Sequence, residues 1–327
     1  MNLSIIIPVY NCAEYLRTGF SHLHPLYTSS VSFEIIYVND GSTDNSLKVL
    51  HEIEAENDFI QVISQKNQGS SGARNTAIEV AQGEYIQFLD ADDILVLDLV
   101  LGFLNVAIDK RLDLLGYQLD IVDEAYIQIG KWAKHPISYN RVMRGTDALI
   151  DGYQPSSICV FLFRRSMLIE HNLRIYPKIT HMDVEFMTRV MLCMNRVKFF
   201  ETIAYRYVQR PGSITKPKTK EKKESFLYDE VIIAALMRDN INTYAITDKL
   251  VQEAVTKNYN SVVWNLLWSF IIRPKEVDYE FKMKCLSDMK EQTLYPIKGP
   301  LKTNFQRLSR IIFNQQFILR KLFYTLK

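Results

Sequence analysis

Residues 85–93 read Tyr85-Ile-Gln-Phe-Leu-Asp-Ala-Asp-Asp93, an apolar strand running straight into three carboxylates. Acids this close repel one another unless hydrogen-bond donors or a cation compensate. In an α/β sheet the carboxyl ends of the strands are where ligands bind, so this placement points to a site rather than to a solvated loop. Upstream, Leu3–Pro8, Phe33–Val38 and Ile60–Ser64 are similar short runs rich in Ile, Val and Phe, as buried parallel strands are. Between them Ala13–Leu26, Asp44–Glu56 and Gly72–Ala81 have helical spacing, and Asp44 can cap the second by accepting backbone N–H bonds. The alternation of strand and helix predicts an α/β fold with a doubly wound, mostly parallel sheet.

Further along, the pattern loosens. Strand candidates lie at Ile158–Phe163 and Val197–Phe200, and Asp183–Asn195 reads as a helix. A charged, proline-containing run, Lys216-Pro-Lys-Thr-Lys-Glu-Lys-Lys223, reads as a solvated linker. Beyond it, residues 224–240, 248–272, 276–292 and the end of the chain have helical patterning. The expected organisation is an α/β domain over 1–215 followed by a smaller α-helical region over 216–327.

Composition narrows the class. Of 327 residues, 47% are hydrophobic and 23% charged, which excludes a disordered or collagen-like chain. Cys12, Cys159, Cys193 and Cys285 lack CxxC spacing and read as reduced thiols, neither a disulfide framework nor a zinc site. The N-terminus enters a strand at once, with no leader-like apolar run. No stretch approaches the roughly 18 apolar residues needed to cross a bilayer. The net charge of +2 does not suggest a nucleic-acid partner. That total hides an asymmetry: residues 1–215 hold 19 basic and 25 acidic residues (net −6), and the remainder holds 20 and 12 (net +8). An acidic head and a basic tail imply different partners for the two parts.

Three further clusters fall at predicted strand ends. Pro8-Val-Tyr-Asn11 follows the first strand, where proline fixes the chain's exit. Val38-Asn-Asp-Gly-Ser-Thr-Asp44 ends the second. There Asp40, acceptor-only when ionised, needs donors such as a nucleobase N–H or a helix's backbone amides. Asn67-Gln-Gly-Ser-Ser-Gly-Ala-Arg-Asn75 leads into a helix. Its glycines permit close approach, the helix start attracts anions, and Arg74 supplies a fixed guanidinium fork. Neither GxxxxGK[ST] nor GxGxxG is present, so a P-loop or dinucleotide fingerprint is not supported. Hard carboxylate oxygens in Asp90–Asp93, near an anion-binding loop, suit Mn²⁺ or Mg²⁺ bridging a diphosphate; Asp93 could instead belong to a helix start.

Together SIIIPVYN, VNDGSTDNS, NQGSSGARN and YIQFLDADD resemble family 2 glycosyltransferases of the GT-A fold, the group that includes bacterial capsule, O-antigen and exopolysaccharide enzymes. The resemblance implies a Rossmann-like GT-A domain that transfers a hexose or N-acetylhexosamine from a UDP-sugar, with inversion, to a saccharide acceptor that is lipid-linked. It implies that Pro8, Tyr10 and Asp40 hold the nucleoside, with Asp40 receiving the uracil N–H. Arg74 would lie beside the nucleotide, Asp90 near the ribose, and Asp92 would bind the metal. The family's Glu-Asp-x-x-Phe base motif matches His181-Met-Asp-Val-Glu-Phe186, with Met182 where glutamate is usual. Asp183 is therefore the expected catalytic base. Glu185 cannot replace the missing glutamate, because successive helical positions project about 100° apart. Arg206, Arg210 and Ser213, in Tyr205-Arg-Tyr-Val-Gln-Arg-Pro-Gly-Ser-Ile-Thr215, are expected at the diphosphate or in a lid, or else at the rim of a strand and turn.

No acid follows Glu291, while Lys298, Lys302, Arg307, Arg310, Arg320, Lys321 and Lys327 do. With Leu308, Ile311, Ile312, Ile318, Leu319, Leu322, Phe323 and Leu326 at helical spacing, this reads as one amphipathic basic helix. Such a helix suits an anionic membrane surface, or packing against its own protein or another subunit. The expectation is a cytoplasmic enzyme, peripheral on the inner face of the cell membrane. Two alternatives stay open: a nucleotide-binding assembly subunit in which Met182 marks lost catalysis, and a sugar-nucleotide pyrophosphorylase, whose Gly-rich N-terminal signature is absent.

Overall fold

The computed structural model describes residues 1–131, 137–210 and 219–326; Ser213 and part of the expected linker fall outside them. The described chain divides into two compact units. The first comprises residues 1–151, 156–178 and 190–210, and the second 152–155, 179–189 and the chain from 211 on.

The first unit begins with β1 (Leu3–Val9), α1 (Ala13–Ser21), β2 (Phe33–Asn39), α2 (Ser46–Ala55), β3 (Ile60–Ser64), α3 (Gly69–Val80) and β4 (Tyr85–Phe88). These four strands lie parallel in the order β3-β2-β1-β4. Ile5, Ile6, Ile7, Ile35, Ile36 and Val38 are all buried, as both faces of a helix-covered sheet require. Full burial of each such side chain stabilises the fold by about 1.5–3 kcal/mol before chain entropy is counted. α1 stops short of the expected Leu26. Pro25 follows within a separate 3₁₀ turn, His24–Thr28, because proline cannot continue the α-helical bonding.

Beyond β4 the sheet becomes mixed. β5 (Ile94–Leu95), α4 (Leu97–Asp109), β6 (Leu114–Val122), β7 (Gln128–Lys131), β8 (Val142–Met143) and α5 (Gly145–Asp151) follow. After β9 (Phe161–Arg164), α6 (Arg165–Glu170) and α7 (Met182–Cys193) comes β10 (Val197–Val208). The order continues β4-β9-β6-β10-β5, with β7 on β6 and β8 on β10. β9 is antiparallel to both neighbours, whereas β6 and β10 are parallel. The expected strand at Ile158–Phe163 starts only at Phe161. Ser157 accepts the Cys159 backbone N–H and closes Ile158–Val160 into a 3₁₀ turn. β10 runs well past Phe200 through two register shifts against β6.

The second unit is helical, with α8 (Lys220–Thr243), α9 (Lys249–Ile272), α10 (Tyr279–Glu291), α11 (Asn304–Phe313) and α12 (Gln316–Thr325). Its core gathers Val231, Leu267, Phe270, Leu286, Met289 and Phe323. Asp248 caps α9 through the Leu250 N–H at 2.8 Å, and Thr303 with Gln306 forms a capping box on α11. Residues 179–189 belong here because Asp229 on α8 accepts from both the backbone N–H and the hydroxyl of Thr180, at 2.8 and 2.6 Å.

The tail corrects the single-helix expectation. α11 and α12 are separated at Asn314-Gln315, where Asn314 turns its amide onto the backbone of Ile297, accepting at 2.9 Å and donating at 2.9 Å. The apolar residues then divide. Leu319 and Phe323 are buried, while Leu308, Ile311 and Phe317 are 68%, 65% and 80% exposed. Among the described residues, no helix is long and apolar enough to cross a membrane.

Candidate functional site

The exits of β1 and β2 are stitched together. Asn11, held at φ +52°, accepts from the Thr43 N–H at 2.8 Å, and its own N–H meets the Ser42 hydroxyl at 3.1 Å. Asp44 accepts from Ala13 at 3.2 Å and from Ser46 at 2.9 Å, so it serves the starts of both α1 and α2. Pro8 lies at the end of β1, and Tyr10 just beyond it is half exposed. An exposed ring at a strand exit is free to stack on a ligand base.

Asp40 sits at the end of β2 and is 2% exposed. Its Oδ1 accepts from Gln65 Nε2 at 2.7 Å and from the Gln68 backbone N–H at 2.9 Å. Gln65 is itself held by the Thr76 hydroxyl at 2.6 Å. Gln68 holds the N-cap position of α3, so one donor on Asp40 is a backbone amide at a helix start. These bonds fix the carboxylate through Oδ1. Gly41, at φ +72°, lets the loop pass: a Cβ there would lie 3.0 Å from the Asn67 backbone nitrogen.

On α3, Arg74 is buried and its Nη2 pairs with Asp90 Oδ1 at the end of β4. Asn75 of the same helix makes a reciprocal pair with the backbone of Ile175, donating at 2.7 Å and accepting at 2.9 Å, which anchors the segment that follows α6. The three acids of the turn after β4 separate in role. Asp93 opens no helix; it ties the turn to β10, accepting from the Tyr205 hydroxyl at 2.6 Å and the Val208 N–H at 2.8 Å. Burial, then the charges of Asp90 and Asp92, push its carboxyl well above the usual carboxylate range. Asp92 is raised as well, first by burial and then by Asp90, with Arg210 acting against the shift.

Arg210 donates to the Asp92 carbonyl at 3.1 Å and stacks its guanidinium 3.6 Å over the Tyr15 ring. Among the described residues its Nε and Nη1 are buried and make no hydrogen bond. Arg206 Nε is in the same condition. Such groups are costly unless something else satisfies them. Among the described residues no three His, Cys, Asp or Glu side chains converge into a metal cage. The donor set nevertheless fits a hard cation held by one or two carboxylates and a ligand's phosphates. Asp92 is an oxygen donor whose charge is under-compensated by its neighbours, and Mg²⁺-type sites commonly take this form.

Thus Pro8, Tyr10, Asp40, Arg74, Asp90, Asp92, Arg206 and Arg210 all fall in the first unit. Asp183 lies in the second, in the first turn of α7. There Glu185 is buried in an ion pair with Arg189, at 2.7 Å to Nε and Nη2, and also accepts from Asn240 at 3.3 Å. That bonding gives Glu185 a structural task, as the helical spacing required. His181, at φ +55°, bonds Glu230. Burial acts to lower its pKa, but the Glu230 hydrogen bond and nearby acids outweigh it, and the net shift is upward. The sequence reading missed Gln65, Tyr15 and Tyr205. Each is a common residue type whose role arises only from the packing of distant strands.

Residues 4–171 match the family described as Glycosyl transferase family 2. The chain is 29% identical over 222 residues to an uncharacterized glycosyltransferase of Escherichia coli, YibD, an alignment covering 65% of this chain and 63% of that protein. Over 247 residues it is 30% identical to the putative glycosyltransferase EpsH of Bacillus subtilis, covering 73% and 70%. The structure of S. aureus TarS 1–349 in complex with UDP superposes with a TM-score of 0.68 over 99% of this chain and 91% of that one, at 16% identity. That likeness and the sheet order agree on a GT-A type of α/β fold.

Proposed function

The chain belongs to glycosyl transferase family 2, and from that premise we propose that it moves a hexose or N-acetylhexosamine from a UDP-sugar to a saccharide hydroxyl, inverting the anomeric centre. The observation that carries the donor assignment is Asp40, fixed through Oδ1 by Gln65 and Gln68; its second oxygen would accept a uracil N–H. Pro8 and Tyr10 would flank the nucleoside, and Arg74 with Asp90 would form the floor beneath base and ribose. Arg210, with two unbonded buried nitrogens, would meet the diphosphate. Asp92 would hold Mn²⁺ or Mg²⁺, which when bound offsets charge on the departing diphosphate.

We assign the base role to Asp183, which would take the proton from the attacking hydroxyl. An Asp183→Asn variant tests this: UDP affinity should stay within about twofold while turnover of a UDP-sugar falls about 10²–10⁴-fold. A wild-type protein that binds UDP yet turns over no sugar nucleotide would favour the assembly-subunit alternative.

The acceptor would be lipid-linked, as in bacterial surface polysaccharide synthesis, and we place the protein on the cytoplasmic face of a membrane. Support comes from α11 and α12, which expose Phe305, Leu308, Ile311, Ile312, Phe317 and Ile318 beside Arg307, Arg310, Arg320 and Lys321. Among the described residues none of those four cations has an acidic partner. Lys302 adds less, since burial and then Lys257 push it down to about 8. A second copy of the chain would set two basic rims against each other, whereas an anionic lipid surface complements both charge and apolar face.

A further inference from the structure

The proposed reading leaves one buried carboxylate of the sheet without a task. Asp120, two residues before the end of β6, is 9% exposed, and among the described residues its Oδ1 is buried with no hydrogen-bond partner. Gln118, on the same side of the strand, does find one, donating to the Tyr139 hydroxyl at 3.2 Å. Across the parallel ladder Asp120 is in register with Arg206 of β10, whose Nε is likewise buried and unbonded. No ion pair joins the two. On the other side Asp120 is in register with Lys131 of β7, which is exposed. A native core leaves few such groups, and a charged one is the costliest to leave.

The direction of these groups follows from the strand's alternation. Phe103 of α4 stacks on Tyr117 of β6 at 5.6 Å and on Phe200 of β10 at 4.7 Å, so Tyr117, Leu119 and Ile121 take the side covered by α4. Gly116, Gln118 and Asp120 take the opposite side. That side is filled at Gly116, where a Cβ would meet Phe161 and Phe199 at 2.6 and 2.8 Å. Toward the carboxyl end of β6 the residues on that side are polar, Gln118 and Asp120, with Arg206 in register on β10. This is also the end at which β10 carries the Tyr205 and Val208 ties to Asp93 and, just beyond, Arg210 on the Asp92 carbonyl.

A sugar hydroxyl is both donor and acceptor. A carboxylate oxygen that lacks a donor, beside a guanidinium N–H that lacks an acceptor, is its complement. We propose that Asp120 and Arg206 read a hydroxyl of the transferred sugar, Asp120 Oδ1 accepting its O–H and Arg206 Nε donating to its oxygen. The inference rests on the UDP-sugar reading and extends it from the nucleotide to the choice of sugar. A site of this kind discriminates strongly, because a sugar lacking the hydroxyl leaves both buried groups unpaired. The donor sugar rather than the acceptor is the ligand, since β10 joins this pair directly to the turn assigned to the diphosphate.

The test is calorimetric titration of wild type and Asp120→Asn with UDP, UDP-glucose, UDP-galactose and UDP-N-acetylglucosamine in Mn²⁺. Asp120→Asn keeps the shape and removes the charge. Its UDP affinity should stay within twofold of wild type, while affinity for the sugar nucleotide wild type prefers falls at least tenfold and preference among the three narrows. Its melting temperature should equal or exceed that of wild type, because Oδ1 makes no hydrogen bond for the substitution to break; a purely structural carboxylate predicts a lower one. Unchanged UDP-sugar affinity in a variant that binds UDP overturns this assignment and leaves the nucleotide site standing. Wild-type protein that binds none of the four overturns the transferase reading and this inference with it.

Discussion

The two units leave different things unfinished. In the sheet unit, among the described residues, Asp120 Oδ1, Arg206 Nε, and Nε and Nη1 of Arg210 are buried without hydrogen bonds on β6 and at the end of β10, and Arg165 Nε is so at the start of α6. In the helical unit, Asn258 Nδ2 is also buried without a hydrogen bond among the described residues, but several charged and amide groups are paired. Glu185 has Arg189 and Asn240, Lys282 donates to the Pro274 carbonyl at 2.8 Å, and Asn260 donates to Lys298 and Pro300 at 2.7 and 2.9 Å. What that unit leaves instead is apolar surface on α11 and α12. The first unit sets such polar groups on β6 and just past β10, and the second sets its exposed apolar side chains close together on α11 and α12. A small polar ligand suits the first, and a broad amphipathic surface suits the second.

Glu185 offers the sharpest contrast with Asp120. Glu185→Ala breaks the buried ion pair with Arg189, which costs about 3–5 kcal/mol, so denaturant or thermal unfolding should show a large loss of stability. Asp120→Asn should show none. If the two variants were equally silent in unfolding, the distinction between paired and unbonded groups would fail.

Arg210→Ala should weaken UDP and GDP binding alike by about 1.5–3 kcal/mol, the size of a hydrogen bond to a charged group, since the diphosphate is common to both. Titration with UMP serves as the control, because a ligand with one phosphate should lose less.

On the helical side, Leu308→Asp with Ile311→Asp should abolish sedimentation with phosphatidylglycerol vesicles. Stability should change by no more than about 0.5 kcal/mol per exposed site, and UDP affinity should not change. Retained vesicle binding would remove the apolar face from the account.

The smallest effect concerns His181. Its pKa is raised in the fold, so the stability drawn from Glu230 and the neighbouring acids is fully present below the ordinary histidine value of 6.5 and is lost as pH rises through the higher folded value. The stability deficit of His181→Asn should therefore shrink with increasing pH in unfolding measured from pH 6 to 9.

Much of the parallel half of the sheet was legible in sequence because each strand there is a continuous apolar run bounded by turn residues. Ile60–Ser64 has the same bounds in the structure, and Leu3–Val9 and Phe33–Asn39 extend the reading by one residue. The mixed half was not. β6 is strongly apolar in Leu114-Leu-Gly-Tyr-Gln-Leu-Asp-Ile-Val122, yet Gly116, Gln118 and Asp120 interrupt the pattern, and these residues face packing and polar groups supplied by other strands. The end of β10 is marked by its pairing with β6 and its ties to Asp93 rather than by its own composition.

The motif residues were legible as types at strand ends, but their division of labour was not. Nothing local distinguishes Asp93, which is consumed by Tyr205 and Val208, from Asp92, which is not. In the tail, the repeat of apolar residues predicts helix correctly and continuity wrongly. The break depends on Asn314 meeting Ile297, a contact between segments 17 residues apart.

The central claim is that the carboxyl ends of β1, β2 and β4 bind a uridine diphosphate with a divalent metal. Calorimetric titration of UDP, with GDP as control, in Mn²⁺ and again in EDTA tests it without knowledge of the acceptor. The account predicts UDP binding that prefers UDP over GDP, weakens in EDTA and is lost in Asp92→Ala. Absence of binding to either nucleotide in Mn²⁺ would contradict it.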